Sequence, residues 1–279
     1  MLALGASRDS SLAWEYAFPF GGGAAPWVSG LAQGTGIQAL TRGGALLREP
    51  RYLDAARSAL GVFEAPPPLG VRVAAAGGSH YLISSATPGL RVLNGFLQAL
   101  VGLHDLEAAS GDARARRLFV AGDGAARRSL PAFDTGAWSR YSLGGGESDL
   151  GYHRLVRDFL RSLCERTRRG AYCATAARFD GYLHERARLD VPGPLRARAG
   201  AAVSVRVRLS KLSCVTVRLR RSGRVVRAVT LVLGGGAHRV RLGAAPPGSY
   251  TVEVQARDLM EHRTRVSRTL LITPARTGG

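Results

Sequence analysis

Lysine is all but missing from this 279-residue chain: Lys211 is the single one among 39 basic residues. Acidic side chains are also few, 20 in all, which leaves a formal charge of +19. An arginine-only basic set joined to 36 glycines is what drift in a GC-rich coding sequence produces. The charge therefore suggests a polyanionic partner without identifying one. No hydrophobic run approaches the roughly 18 residues of a membrane span, which excludes an integral membrane segment. The start, Met1-Leu2-Ala3-Leu4-Gly5-Ala6-Ser7, lacks the basic and apolar regions of a secretory signal. An envelope or secreted location is expected only if the chain extends upstream, and a cytoplasmic one otherwise. The three cysteines, Cys164, Cys173 and Cys214, have neither metal-ligand spacing nor an even count, so no metal site is expected. Cys164 and Cys173 could pair if two helices meet, but buried free thiols are the expectation.

What is present divides in two. Residues 1–190 carry 22 basic and 17 acidic side chains, a net +5, whereas residues 191–279 carry 17 and 3, a net +14. The shift falls at Val191-Pro192-Gly193-Pro194 and reads as a domain boundary, with domains over 1–190 and 191–279. In the first, apolar spacing is helical over Trp27–Leu47, Arg51–Phe63, a stretch after Pro88-Gly89, Asp112–Leu130, Leu150–Thr167 and Tyr172–Arg188. Six helices in three hairpins, with inserts at 64–90 and 131–149, predict an α/α toroid or solenoid whose rim loops build a site.

In the second, the period becomes two. Val203–Leu209, Val215–Arg220, His238–Leu242 and Tyr250–Val254 alternate apolar and polar residues, separated by turn signals at Ser222-Gly223, Gly234–Gly236 and Pro246–Gly248. The expected fold is multidomain α plus β, the toroid being followed by an immunoglobulin-like β-sandwich. Arginines fall on the outward phase of these strands, which reads equally as a solvated face or as a polyanion-binding one.

Three segments carry more detail than packing requires. They are Trp27–Gly34, with Ala32-Gln33-Gly34; Val92-Leu93-Asn94-Gly95-Phe96; and Phe133-Asp134-Thr135-Gly136 leading to Tyr141 and then Gly151-Tyr152-His153. In this order, and in register with Gly102–Leu106, they resemble the C-terminal catalytic domain of D-glucuronyl C5-epimerase over about residues 12–185, which implies an incomplete α/α toroid for the helical part. The resemblance implies inversion at C5 of a uronic acid within a polymer: removal of the proton α to a carboxylate and its return from the opposite face. That chemistry needs donors around the carboxylate and two proton-transfer groups. Tyrosine can serve where a cation lowers its pKa. By resemblance Tyr152 transfers a proton, Tyr141 is a second active-site tyrosine, and Asn94 holds the carboxylate or sugar. His153 and Arg140 are further candidate substrate contacts. Gln33 reads as a helix–helix hydrogen-bonding residue and Asp134 as a turn former.

The chain also departs from the family pattern. The family's adjacent Glu-Tyr pair falls on Ile83 and Ser84, leaving His80 and Tyr81 nearby as substitutes, and its loop arginine falls on Gly144, beside Arg140 in sequence. The resemblance implies an acidic, heparosan-like polysaccharide as partner and no cofactor or metal. It also allows a homodimer, for which the sequence itself offers no interface. Polysaccharide lyase-type β-elimination and a non-catalytic envelope glycan-binding protein are the alternatives. Nucleic acid is not expected, because Tyr250 is the only Phe, Trp or Tyr after residue 191.

Overall fold

The computed structural model describes residues 2–275, which gather into two compact units. One runs up to Asp134 and takes in Arg140–Gly145 and Gly151–Asp180; the other holds Thr135–Ser139, Gly146–Leu150 and the chain from Gly181 on. The 131–149 insert is thus divided between them.

The first unit opens with short antiparallel pairs, β1 (Ala6–Arg8) with β2 (Ser11–Ala13) and β3 (Glu15–Tyr16) with β4 (Trp27–Val28). Helices α1 (Gly30–Leu47), α2 (Pro50–Ser58) and α3 (Gly61–Glu64) precede a hairpin of β5 (Arg72–Ala75) and β6 (Gly78–Tyr81). Then come α4 (Leu93–Ser110), α5 (Ala113–Ser129), α6 (Leu150–Thr167) and α7 (Gly170–His184). None of the helices among the described residues is long and apolar enough to cross a membrane.

Local signals account for most boundaries. Asp112 caps α5, its carboxylate accepting from the Arg114 and Ala115 amides at 2.8 and 2.9 Å. Pro50 begins α2, and Gly111, at φ +65°, ends α4. Three expectations are corrected. Trp27-Val28 is a strand, so α1 starts three residues late. The Arg51–Phe63 helix breaks into α2 and α3 around Ala59 and Leu60. The last helix stops at His184, because the amides of Ala187 and Arg188 donate to Asp258 and Ser210 in the second unit instead of continuing the helical ladder.

Helix α4 is the centre of the helical unit. Every residue from Leu93 to Leu103 is buried, so these first three turns are surrounded on all sides and have no solvent face. Its approach to α1 depends on missing side chains. A Cβ on Gly34 would sit 2.6 Å from Ala99 Cα and from the Gln98 carbonyl oxygen, and one on Gly102 would run into the Gly34 carbonyl. Polar ties close the other contacts. The half-buried Asp105 carboxylate on α4 accepts from Gln38 on α1 at 2.8 Å and from Arg166 on α6 at 2.6 and 2.9 Å. Burial would raise its pKa, but these bonds, with His104 3.8 Å away, outweigh it and hold the carboxyl well below the usual range. On α5 the buried Asp123 accepts from the Tyr172 hydroxyl at 2.9 Å and from Arg127 at 3.0 Å, and it also pairs with Arg169.

Cys164 and Cys173 form a disulfide across the α6–α7 turn, with Cα atoms 4.8 Å apart. The expectation of free thiols is corrected for this pair, because the Arg168 turn, at φ +55°, folds the two helix ends together. Cys214 is free and half-buried.

In the second unit β11 (Arg224–Leu233), β10 (Ser213–Arg221), β13 (Gly248–Asp258), β14 (Arg263–Thr273) and β8 (Leu195–Arg198) form a five-stranded sheet in that spatial order. Strands β12 (Gly236–Ala244), β9 (Ala202–Leu209) and β7 (Leu189–Asp190) form a three-stranded one. Alternate residues of both sheets, including Val205, Val217, Leu242 and Val254, fill one apolar core. The four alternating segments are strands, while β11 and β14 carry no clean alternation and were not anticipated.

The lone lysine is buried here, 3% exposed. Lys211 donates to the carbonyls of Tyr182, at 2.8 Å, and Glu185 at the end of α7. It lies 3.4 Å from Asp258 and 5.3 Å from the Trp138 ring centroid. Three donors on a compact ammonium satisfy carbonyls and carboxylate together, which a planar guanidinium cannot do in the same space.

Two stability measurements follow from this packing. In α1, Gly34→Ala is expected to cost about 1–3 kcal/mol through overpacking. Gly43→Ala, whose Cβ meets nothing within 4 Å, should gain about 0.5–1 kcal/mol from helix propensity; equal shifts in urea midpoint would refute the close approach. Lys211→Met should lose about 3–5 kcal/mol by leaving Asp258 without its buried partner. Lys211→Arg should fail to restore it, and an arginine variant as stable as the parent would count against this account.

Candidate functional site

Between β6 and α4 the chain is pinned to the 131–149 insert. Val92 bridges Ser142 in antiparallel fashion, the Leu143 amide donates to the Arg91 carbonyl at 2.9 Å, and the Leu93 amide to that of Tyr141 at 3.5 Å. This pairing lays Tyr141 to Leu143 along the entrance of α4. Tyr152, on the first turn of α6, meets Tyr141 edge to face with ring centroids 4.8 Å apart. Tyr141 is half-buried and Tyr152 is 37% exposed, so the two tyrosines picked from the sequence, eleven positions apart, come together at a surface.

Beside this entrance lies a hollow of about 220 Å³ whose walls include His80, Arg91, Arg128, Ser129, Phe133 and Leu143. Its rim on one side is the β5–β6 turn. Gly77 adopts φ +88° and Gly78 φ +142° there, and neither has room for a side chain against the α5 carbonyls of Gly124 and Ala121. His80 is 3% exposed and packs its ring 4.2 Å from that of Phe96. Its Nε2 has no hydrogen-bond partner. Burial, reinforced by the Arg91 charge, pushes its pKa down to about 3, so the ring is neutral at ordinary pH. Arg91 donates to the Ala74 carbonyl at 3.4 Å, and Arg128 lies against Gly77. Arg128 also borders a wider cleft of about 660 Å³ with Arg127, Arg169 and Asp123. Two guanidinium groups and a neutral imidazole around one small hollow suit a carboxylate ligand.

The other candidates are placed as follows. Asn94 is buried in the first turn of α4, its side-chain oxygen accepting from the Gly95 amide at 2.7 Å. Arg140 closes the glycine-rich loop by donating to the Gly145 carbonyl at 2.8 Å. His153 is fully buried, with Nε2 2.9 Å from the Phe179 carbonyl oxygen and its ring stacked on Phe179; this is a helix-packing position. Tyr81 is likewise fully buried, its hydroxyl donating to the Leu118 carbonyl at 2.7 Å, and burial raises its pKa. The reading of Tyr81 as a substrate contact is therefore corrected: the strand alternation that turns its neighbour His80 toward the hollow turns Tyr81 into the core. Ile83 is half-buried and Ser84 buried. Gln33 donates to the Trp14 carbonyl at 3.1 Å, not to a neighbouring helix, and Asp134 pairs with Arg178. Arg91 and Arg128 were missed. The only hint was the place of Arg91 immediately before Val92-Leu93-Asn94.

Residues 8–181 match the family model described as D-glucuronyl C5-epimerase C-terminus. The D-glucuronyl C5-epimerase of Caenorhabditis elegans is 35% identical over 130 residues, which are 42% of this chain and 21% of that protein. The chain thus spans about a fifth of that relative's length. Among solved structures, the cellobiose 2-epimerase of Bacillus thermoamylovorans is similar over 66% of this chain and 51% of that chain, at 11% identity and a TM-score of 0.46. That of Spirochaeta thermophila is similar over 55% and 42%, at 15% identity and a TM-score of 0.42.

A buried imidazole that refuses a proton makes stability depend on pH. Between pH 6.5 and about 3 the unfolded chain binds a proton at His80 that the folded chain excludes, so this group removes stability as the pH falls through that window. The slope approaches about 1.4 kcal/mol per pH unit. His80→Phe should lose less stability than the parent between pH 7 and pH 4 in urea titrations, and parallel curves would count against a neutral buried ring.

Proposed function

We propose a function for a chain that belongs to the D-glucuronyl C5-epimerase family, by way of that family's C-terminal domain: proton exchange at C5 of uronic acid residues in an acidic, heparosan-like polysaccharide. The observation that carries the reading is the contact of Tyr141 with Tyr152 at the entrance of α4, beside the hollow flanked by Arg91 and Arg128. In the proposed step the sugar carboxylate lies between the two guanidinium groups, which stabilise the charge that builds on its oxygens. One tyrosine, as phenolate, takes the C5 proton; the C–H electron pair moves into the carboxylate to give an enediolate. The other tyrosine, protonated, delivers a proton to the opposite face of C5, and the pair ends with its protonation exchanged. Asn94 and Arg140 hold the loop and helix that set the pair's position, and His80 offers a neutral imidazole edge to the bound sugar. The cleft around Arg127 and Arg169 continues from Arg128 and supports a polymer over a monosaccharide.

The helical unit is read as an incomplete α/α toroid and the β unit as an immunoglobulin-like sandwich, with domains over 1–190 and 191–279. The disulfide between Cys164 and Cys173 supports an oxidising compartment, consistent with a polysaccharide outside the cytoplasm. A lyase reading draws on the family's Glu-Tyr positions, which are Ile83 and Ser84 here. With part of the acid–base set gone, the same carbanion could expel the C4 oxygen instead of regaining a proton.

Incubation with heparosan in deuterated water tests this. Deuterium should accumulate at C5 without chain cleavage, and Tyr152→Phe should slow it about 100-fold or more. Unsaturated chain ends would establish the lyase outcome, and neither signal would leave no turnover to explain.

A further inference from the structure

The β unit has its own charge pattern, and the two sheets differ in it. On the five-stranded sheet, Glu253 sits among arginines: Arg218 at 3.1 Å, Arg220 at 3.4 Å and Arg265 at 4.0 Å. On the three-stranded sheet no such carboxylate exists at the centre. Strand β9 turns Val203, Val205, Val207 and Leu209 inward and Ser204, Arg206 and Arg208 to solvent. Strand β12 turns Val240 and Leu242 inward and exposes Arg239 and Arg241. In register, Arg206 lies directly opposite Arg239, and Arg241 opposite Ser204. Among the described residues these four arginines make no ion pair or side-chain hydrogen bond. The nearest carboxylates are at the margins of the sheet: Asp190 opposite Arg208 at the edge, and Glu147 on the Gly235 amide just before β12. A hollow of about 410 Å³ lies at the same place, bordered by Pro192, Arg206, Arg208, His238 and Arg239.

Directly opposed residues on neighbouring strands are about 5 Å apart, and like charges there destabilise a sheet. Four unpaired guanidinium groups on one face hold a concentrated positive potential that an extended polyanion relieves. We propose that the solvent face of β9 and β12 is a binding site for an acidic polysaccharide chain, gripped by Arg206, Arg208, Arg239 and Arg241 in the β unit. The side chains of the unit favour a uronan over nucleic acid. Trp138, Tyr182 and Tyr250, the Phe, Trp or Tyr residues of the unit, are all buried, which removes any platform for stacking bases. The choice of polymer rests on the function proposed above, whereas the anion site stands on its own geometry.

The test uses the full chain and immobilised heparosan, with retention measured against salt. The Arg206→Glu/Arg239→Glu variant should bind about tenfold more weakly and with a shallower salt dependence. Deuterium exchange at C5 of a short oligosaccharide should be unchanged. Arg224→Glu/Arg263→Glu, the same charge change on the other sheet, is the control and should bind nearly as the parent does. Parent-like binding by the first variant, or equal weakening by both, would overturn the site. Tighter Arg206-dependent binding to duplex DNA or to phosphatidylglycerol vesicles at matched salt would overturn the choice of occupant. Lost exchange with Arg206-dependent binding intact would count against the proposed turnover alone.

Discussion

The helical unit depends on one constraint: two helix backbones must touch where side chains would otherwise stand. Gly34 and Gly102 let α1 reach α4 closely enough for its first three turns to be buried on every side. A helix enclosed in this way has little freedom to shift, because protein interiors are packed as tightly as crystals. Its first turn is therefore a rigid reference. Arg91 and Val92 lead into it, the Tyr141–Leu143 segment pairs with it, and Tyr152 closes on Tyr141 from α6. The site inherits its geometry from a contact made by two missing side chains.

Charge is handled in two ways in this basic protein. Inside, each buried ionised group closes a contact between distant elements: Asp123 joins α5 to α7, and Lys211 with Asp258 secures the end of α7 and Trp138 in the β unit. Such groups are tolerated because their hydrogen bonds are nearly all made. Outside, the excess is arginine, and on the β9–β12 face four described arginines make no ion pair. The single lysine belongs to the first class, which explains how a chain so poor in lysine comes to keep one.

Much of the helical pattern was legible in the sequence. The bounds of α5 and α6 were visible in apolar spacing and in the Asp112 cap, since both depend on residues within a few positions of each other. The overshoot past His184 was not visible, because what ends that helix is Asp258, seventy-one residues from the Ala187 amide it binds. Strands β11 and β14 escaped because the edge position of β11 and the arginines of both blur their alternation. At the site, Tyr141 and Tyr152 were legible from motif order. Arg91 and Arg128 come from separate elements with no shared spacing, and only the folded chain places them around His80.

By itself, then, the sequence determined the helical and β segments, the charge asymmetry and the family, because periodicity, capping and motif order are short-range properties written in adjacent residues. The tertiary structure alone decided the rest. It paired Cys164 with Cys173 and buried Lys211, turned Tyr81 inward and His80 toward the hollow, and left Arg206 and Arg239 facing each other. Each of these is a matter of distance and desolvation between groups far apart in the chain. Protonation, partnership and exposure follow from those distances and not from residue identity.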